Sequence, residues 1–332
     1  MFFGQDLYYR LNPQLRYNEE YDPLPQLITL DPEYTPIVIE INDPNVDFFY
    51  TNPNMVNMMV SQFSMIQLNN ATPITNTVNY QMEICRPDHF DKLDAYTRQY
   101  FLNMNLQDYF CIPKDIKNLT MQGAFDQNYF QEIQFTISLC DNSTTNGTCL
   151  PIDQIKQNMS RGNIGIYFVD YNIDPGNYQN PISNQPKEVF TNFLTDSQKE
   201  IDIYFINNYI ETDDGIMLQS SNQKIISTFD SFTVMDLQQE DPDFIYVYLQ
   251  IKQRNAYYRR TYTKIQQVLA QIGGFINCFW IIAFSISHLH AKLLVVSEII
   301  MNVFRIKLFF NNNNFSSRKN IGSVRTRNLP YV

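Results

Sequence analysis

The feature that most constrains this chain is an uncharged apolar stretch near its C-terminus. Between Lys264 and Lys292 no residue carries a fixed charge, and the run at 268–286 reads VLAQIGGFINCFWIIAFSI. About 20 mostly apolar residues are enough to cross the roughly 30 Å hydrocarbon core of a bilayer. A buried helix of a soluble protein is usually shorter and amphipathic. We therefore predict a transmembrane helix over residues 265–291.

Charge is distributed unevenly along the chain. The net charge is −10, yet residues 265–332 hold one acidic and seven basic residues. The positive-inside rule then predicts a cytoplasmic C-terminal tail and an extracytoplasmic body before the helix. The basic residues of 251–264 carry almost as much positive charge, so the near flanks alone leave the orientation open. We interpret 251–264 as a basic juxtamembrane segment.

Four cysteines precede the predicted helix, and a fifth, Cys278, lies inside it. An even number outside the cytoplasm predicts two disulfides, for which three pairings are possible. The stretch CDNSTTNGTC brings Cys140 and Cys149 together in a polar loop, so we favour that pair, which leaves Cys85 with Cys111. Four free thiols in a cytosolic protein are the alternative.

N-glycosylation acceptors of the form N-x-S/T support an extracytoplasmic body by their position. In a chain this rich in Asn, Ser and Thr, their number is close to what chance gives. Asn314 follows the predicted helix, and two of the others fall inside the Cys140–Cys149 loop. Those that precede the helix are Asn70, Asn118, Asn142, Asn146 and Asn158.

The N-terminus does not resemble a signal peptide. The start, MFFGQDLYYRLNPQLRYNEEYDPLP, has no basic segment followed by an apolar core. A long domain is difficult to translocate ahead of a lone downstream span. We therefore expect an upstream span that this chain lacks, with residues 1–26 as a tether after it.

The body between these segments has the composition of β-strands. Runs rich in β-branched and aromatic residues are bounded by Asp, Asn, Pro and Gly, as expected of strands. A short helix is predicted within 91–110 from its apolar spacing. The chain is thus predicted to be a membrane protein with a β-rich (α+β), disulfide-bonded ectodomain at 27–250 and a C-terminal transmembrane helix. The predicted strand runs are 35–43, 78–85, 132–140, 165–173, 200–210 and 244–252.

The segments after the predicted span are apolar and then basic. Residues 292–310 contain Glu298, Arg305 and Lys307 among apolar residues, which makes a second crossing costly. We predict an interfacial amphipathic helix there, with basic side chains at anionic headgroups. Residues 311–332 are predicted to be a disordered basic tail.

The sequence contains no recognisable catalytic, cofactor-binding or metal-binding motif. GxSxG, HExxH, Walker A and GxGxxG are all missing. His89 is best interpreted as a loop residue or hydrogen-bond partner, and His288 and His290 as polar residues at the membrane interface. We expect no enzymatic activity and no cofactor. Nucleic-acid binding is not expected from an acidic, extracytoplasmic body.

Several stretches resemble a family of transmembrane proteins abundant in ciliates. The resemblance covers most of residues 5–300 and includes LYYRLNPQL (7–15), YNIDPGNYQNPI (171–182) and YRRTYTKIQQVLAQIGG (258–274). It also includes CIPKDIKNLTMQGAF (111–125) and YFQEIQFTISLC (129–140). It implies a first span, a cysteine-containing ectodomain and a second span entered through an R-x-Y-x-K-I and GG signature. The signature residues here are Arg260, Tyr262, Lys264, Ile265, Gly273 and Gly274.

The predicted span has one face suited to packing against another helix. Ala270 and Gly274 form a small-xxx-small pair beside Gly273, and Gln271 and Asn277 can hydrogen-bond across such a contact. Tolerated flexibility of the glycines is the alternative. Partners are therefore expected to be the lipid bilayer and membrane proteins, or a second copy of this chain through the span.

Three functional hypotheses fit this organisation. The first is an ectodomain for protein–protein interaction or assembly, anchored in a plasma, ciliary or secretory-pathway membrane. The second is a subunit of a two-span ion channel, in which Gln271, Asn277 and Ser285 would line the pore. The third is a secretory-pathway cargo receptor, which shares the same topology. The sequence alone does not decide among them.

Overall fold

The structure is a computed structural model in which the chain divides into two compact units. The first, Met1–Lys264, is called the body here, and the second is Ile265–Val332. The structure describes residues 13–43, 48–67, 72–117, 119–142, 149–238 and 243–311. The predicted disordered tail, apart from Asn311, and the first twelve residues of the predicted tether lie outside the described residues.

The described body is built mainly of β-strands. Helices α1 (Ala95–Leu102) and α2 (Ile152–Asn158) are short, and 3-10 turns lie at Pro87–Phe90 and Leu106–Asp108. The described part of the second unit is one helix, α3 (Ile265–Asn311). The strands are β1 Gln14–Tyr21, β2 Ile28–Leu30, β3 Ile37–Asp43, β4 Phe48–Phe49, β5 Val56–Ile66, β6 Ile74–Gln81, β7 Glu83–Ile84, β8 Phe110–Cys111, β9 Leu119–Met121, β10 Tyr129–Leu139, β11 Arg161–Ile173, β12 Ile182–Leu194, β13 Ser197–Asp213, β14 Ser221–Gln238 and β15 Asp243–Thr261.

The larger sheet has seven strands in the order β14-β13-β15-β10-β5-β6, with β1 also paired to β15. Its pairs are antiparallel except β13 with β15, which run parallel. The long β15 has different neighbours along its length: its first half pairs with β10 and its second half with β1. One strand therefore carries the chain from the centre of the sheet to the start of α3.

The smaller sheet has six strands, in the order β12-β11-β3-β8-β7 with β4 paired to β3. A separate two-stranded sheet joins β2 to β9. One cluster of buried apolar side chains contains residues of the larger sheet and of the smaller sheet. These two sheets therefore pack face to face as a sandwich. In β10, Ile133, Phe135 and Ile137 point into this core and are fully buried. Each such side chain contributes about 1.5–3 kcal/mol by leaving water.

A second apolar cluster covers the outer face of the smaller sheet. Because side chains alternate along a strand, Val38, Tyr167 and Val169 face away from the sandwich core and join this cluster. Phe90 and Phe101 stack on it, with ring centroids 4.9 Å apart. Helix α1 supplies Phe101 and is capped by Asp94, whose carboxylate accepts hydrogen bonds from two backbone amides of the first turn.

The fold class predicted from the sequence is confirmed. The body is β-rich and carries two disulfides, and an apolar helix follows it. The predicted strand runs all lie largely within strands, and the short helix predicted in 91–110 is α1 followed by a 3-10 turn. The predicted runs do not include the long strands β1, β5, β12 and β14 or the short strands β2, β4, β8 and β9.

Two predicted segments next to the ectodomain belong to the larger sheet instead. Gln14–Tyr21, predicted as tether, forms β1 and pairs with β15 from Arg254 to Thr261. Most of the predicted basic segment 251–264 is the second half of β15. Its basic residues find partners in the body: Arg254 forms an ion pair with Glu19 at 2.9 Å. These residues of the predicted tether and of the predicted basic juxtamembrane segment are therefore strand residues of the larger sheet.

Helix α3 is continuous where the sequence predicted a boundary. It runs from Ile265 to Asn311, with no break at 291–292 between the predicted span and the predicted interfacial helix. The part from Ile265 to Phe304 is long and apolar enough to cross a membrane, and the side chains of 269–304 are exposed. At about 1.5 Å per residue, the helix is roughly 70 Å long. A crossing of about 30 Å thus leaves part of α3 outside the hydrocarbon core.

Candidate functional site

The most distinctive polar site of the body lies where β15 ends and the chain approaches α3. Lys264, the last residue of the body, places its ammonium group 2.9 Å from the Oδ2 atom of Asp213 at the end of β13. The amide of Tyr262 donates to the carbonyl oxygen of Asp213 at 3.4 Å. One residue of β13 therefore holds the chain through both its side chain and its backbone.

Asp213 also closes the loop between β13 and β14. Its Oδ1 atom accepts hydrogen bonds from the amides of Ser220 at 3.0 Å and Gly215 at 3.3 Å. Burial alone would raise the pKa of this carboxyl, but the two amides and the Lys264 ammonium outweigh it and lower the pKa below its usual value. Asp213 is thus held as a carboxylate that ties the loop to the end of β15.

Arg260 makes a second connection. It is 5% exposed, and its Nε donates to the Thr212 hydroxyl oxygen at 2.7 Å. Its Nη1 donates to the carbonyl oxygen of Asn177, in the turn between β11 and β12, also at 2.7 Å. In the same turn, the ring of Tyr178 packs edge-on against Tyr262, with centroids 5.1 Å apart.

We call Thr212, Asp213, Arg260, Tyr262 and Lys264 the exit clamp. It joins the end of β15 to the two neighbouring turns, one from each sheet of the sandwich. Three residues of the sequence signature, Arg260, Tyr262 and Lys264, meet in it. The clamp fixes the position of Lys264, the last residue of the body.

The other signature residues lie in α3 and are not brought to this site. A Cβ atom added at Gly273 or Gly274 would meet no atom within 4 Å, apart from the helix's own backbone and the adjoining residues. Ala270, Gln271 and Asn277 are likewise exposed on α3. Their predicted role in helix packing stays a prediction.

A family match covers most of the body together with the exit clamp. Residues 38–267 match the family described as the uncharacterised 80 kDa protein N-terminal domain. The chain belongs to this family. The matched region of this family member begins in β3 and ends three residues after Lys264, so it includes every residue of the exit clamp and the first residues of α3.

Comparisons with other proteins add little to this assignment. No curated protein matches the chain. A cryo-EM structure of a proton-activated chloride channel is similar at 10% sequence identity, over 85% of this chain and 86% of that chain, with a TM-score of 0.26. A TM-score this low does not indicate a shared fold.

Both disulfides of the family member have the pairing that the sequence favoured. Cys85 bonds to Cys111 beneath α1, and Cys140 bonds to Cys149 next to the start of α2. Cys278 is exposed on α3. The first disulfide belongs to the apolar cluster on the outer face of the smaller sheet.

Two predicted glycosylation acceptors lie among the described residues, and both are exposed. The Oδ1 atom of Asn142 accepts a hydrogen bond from the Cys149 amide at 3.0 Å. An N-glycan attaches through the side-chain nitrogen, so this bond leaves the attachment atom available. Asn158 is at the C-terminal end of α2. Asn70, Asn118 and Asn146 lie outside the described residues.

His89 has a structural role. It is 2% exposed, its Nε2 lies 2.9 Å from the Glu83 carboxylate, and its Nδ1 accepts from the Arg86 amide at 3.0 Å. These contacts fix the 3-10 turn beside the first disulfide. Within the described residues, no group of three or more His, Cys, Asp or Glu side chains is arranged to hold a metal ion.

Sequence reasoning missed a group of buried carboxylates on the outer face of the larger sheet. Glu132 and Asp202 are 8% and 7% exposed. The pKa of Glu132 is raised to about 7. Burial is the largest cause, and the charges of Asp202 and Glu200 also raise the pKa, whereas the 2.8 Å hydrogen bond from Gln250 lowers it in part. Strand alternation in β10 already places Glu132 on the face opposite Ile133, which is the signal that could have revealed it.

Proposed function

We propose that this family member is an integral membrane protein that presents an N-glycosylated, extracytoplasmic body for binding partner proteins. The observation that carries the proposal is the exit clamp. It fixes Lys264 by its contact with Asp213, and α3, with its exposed apolar side chains, begins at the next residue. Exposure of so many apolar side chains to water is unfavourable. A bilayer removes them from water, and α3 is long enough to cross one.

Two features support an extracytoplasmic position for the body. Structural disulfides persist in oxidising compartments and are rare in the cytosol. Both disulfides form here, between residues 85 and 111 and between 140 and 149. The chain after α3 is basic, which favours its retention in the cytoplasm.

The edge of the larger sheet supports protein binding. Strand β14 ends the order of this sheet and pairs along its length with β13 on one side. The edge of a strand offers backbone donors and acceptors to a partner strand. β14 also exposes Phe232, Met235 and Leu237 by 41–46%. The amide of Phe229 in the middle of β14 is bonded to Asp170, so the part of the edge suited to pairing with a partner chain is the one that carries these apolar side chains, from Phe232 to Leu237.

The test is the native assembly of the full chain. The protein is purified in mild detergent, and its stoichiometry and co-purifying chains are determined. We expect a heteromer, and we expect Met235→Lys on β14 to reduce the partner's recovery because an edge lysine blocks strand pairing. Leu194→Lys, at a similarly exposed position at the end of β12, is the matched control and should leave recovery unchanged.

Other outcomes would overturn the proposal. A homotrimer or tetramer with the Gly273 side of α3 around a symmetry axis would favour the ion-channel hypothesis. A monomer without partners would contradict a role in assembly. Equal loss of the partner in Met235→Lys and Leu194→Lys would show that β14 is not the binding edge.

A further inference from the structure

The loop between β13 and β14 exposes three consecutive large apolar side chains. Ile216, Met217 and Leu218 are 51%, 60% and 79% exposed, and the value for Leu218 is the highest of any large apolar side chain in the described part of the chain. Consecutive exposed apolar residues are unfavourable on a surface that faces only water. Full burial of each would contribute about 1.5–3 kcal/mol.

This loop is held in a defined conformation. Asp214 donates its amide to the carbonyl oxygen of Ser220 at 3.0 Å, and Asp213 accepts from the amides of Gly215 and Ser220. A Cβ atom at Gly215 would lie 1.8 Å from the carbonyl oxygen of Leu218, so the tight closure requires glycine at this position. The sequence therefore specifies a closed loop with its apolar tip outward.

The loop lies next to the point where the chain leaves the body. The Asp213 carboxylate that binds the loop amides through Oδ1 also binds the Lys264 ammonium through Oδ2. Lys264 directly precedes the apolar helix. If the uncharged run 268–286 of α3 crosses a bilayer, one boundary of that bilayer lies close to the first turn of the helix. Tyr178, which is 39% exposed and packs against the clamp residue Tyr262, is of the residue type that favours this boundary.

We propose that the tip Ile216–Leu218 inserts into the boundary between the lipid headgroups and the acyl chains. The tip is then a second attachment of the body to the membrane, and the Asp213–Lys264 pair couples it to the span. The proposal rests on α3 crossing the membrane, as proposed above. At this depth the apolar side chains leave water, which makes the insertion favourable.

The experiment places nitroxide labels on the full chain in lipid vesicles. Cys278→Ser removes the free thiol described on α3, and single cysteines are then introduced as Leu218→Cys, Trp280→Cys or Leu237→Cys. Position 280 reports whether α3 is in lipid. Leu237 is an exposed apolar residue at the opposite end of β14, because β13 and β14 pair from Asp213↔Ser221 to Ser197↔Gln238. It is the matched control.

At each position, the collision rate of the nitroxide with oxygen, which concentrates in lipid, is compared with its collision rate with a water-soluble nickel complex. We expect the oxygen-to-nickel ratio at 218 to exceed that at 237 by about fivefold and to approach that at 280. A ratio at 218 equal to that at 237, with 280 in lipid, would overturn the inserted tip alone. Low access of both reagents at 218 would mean that a protein covers the tip and would also overturn it. A low ratio at 280 would overturn the membrane span itself, and the tip proposal with it.

Discussion

The outer faces of the two sheets differ in how their side chains are withdrawn from water. On the smaller sheet, an apolar face is covered by α1 and the first disulfide, and Phe101 is fully buried there. On the larger sheet, the outer face is polar, and Glu132 and Asp202 are buried among neighbouring strands. The first arrangement stabilises the fold by removing apolar surface from water, whereas the second opposes it by desolvating charge.

The largest expected effect is on the covered face. Phe101→Ala removes a fully buried ring that stacks on Phe90, and we expect a loss of about 3–5 kcal/mol in the free energy of unfolding. Gln134→Ala, on the polar face, should cost about 0.5 kcal/mol. Denaturant titration of the detergent-solubilised full chain measures both. Similar losses in the two variants would contradict the difference between the faces.

The two disulfides give the next effect. The pair of substitutions Cys85→Ser and Cys111→Ser opens a loop with a sequence separation of 26, against 9 for Cys140 and Cys149. By the entropy of loop closure, we expect losses of about 3–4 kcal/mol for the first and about 1 kcal/mol less for the second. The midpoints of thermal unfolding check this order. A larger loss from opening the short loop would contradict it.

The polar face should produce a pH dependence. The pKa of Glu132 is raised to about 7 in the folded chain, so between its ordinary value and 7 the folded state binds more protons than the unfolded state. Stability therefore falls as the pH rises through this window and is then constant. Glu132→Gln removes this cost and should be more stable than the unsubstituted chain by about 3 kcal/mol at pH 8.

The same variant should lose its advantage in acid. At pH 4 the native carboxyl is protonated, so the stabilities of Glu132→Gln and the unsubstituted chain should converge. Unfolding curves at both pH values test the sign directly. A variant that is less stable at pH 8 would show that the Glu132 charge is favourable, contrary to this account.

The smallest expected effect is at the exit clamp. Lys264→Met leaves the Asp213 carboxylate without its ammonium partner, and we expect a loss of about 1–2 kcal/mol near pH 7. Because the pKa of Asp213 is lowered in the folded state, its stabilising contribution disappears in acid, and the loss should shrink as the pH falls toward that pKa. Lys224→Met, at an exposed position of β14, is the control and should change stability little.

The strands that sequence reasoning found are those with dense apolar alternation. In β10 and β15, β-branched and aromatic residues recur on the face that becomes the core, so the pattern is visible in a short window. Strands β1 and β14 are largely exposed and mix polar with apolar residues. β1 forms by pairing with β15, and β14 by pairing with β13. The sequence pattern within one strand does not show which distant strand will pair with it.

The candidate site shows the same limit. The sequence shows the basic residues of 251–264 but not which acidic residues pair with them, because the partners are distant in sequence. Glu19, for example, lies 235 residues from Arg254. The local excess of positive charge therefore indicated only a basic juxtamembrane segment. The exit clamp could be predicted only on its signature side, because Thr212 and Asp213 meet Arg260 and Lys264 through the parallel pairing of β13 with β15.

The central claim is that α3 spans a membrane with the body on its extracytoplasmic side. The most direct test is peptide mapping of N-glycans on the full chain produced in a eukaryotic secretory pathway. The account predicts glycans at Asn142 or Asn158, both exposed in the body, and none at Asn314. A glycan at Asn314, or an unmodified body whose Cys140 and Cys149 are reduced, would contradict it.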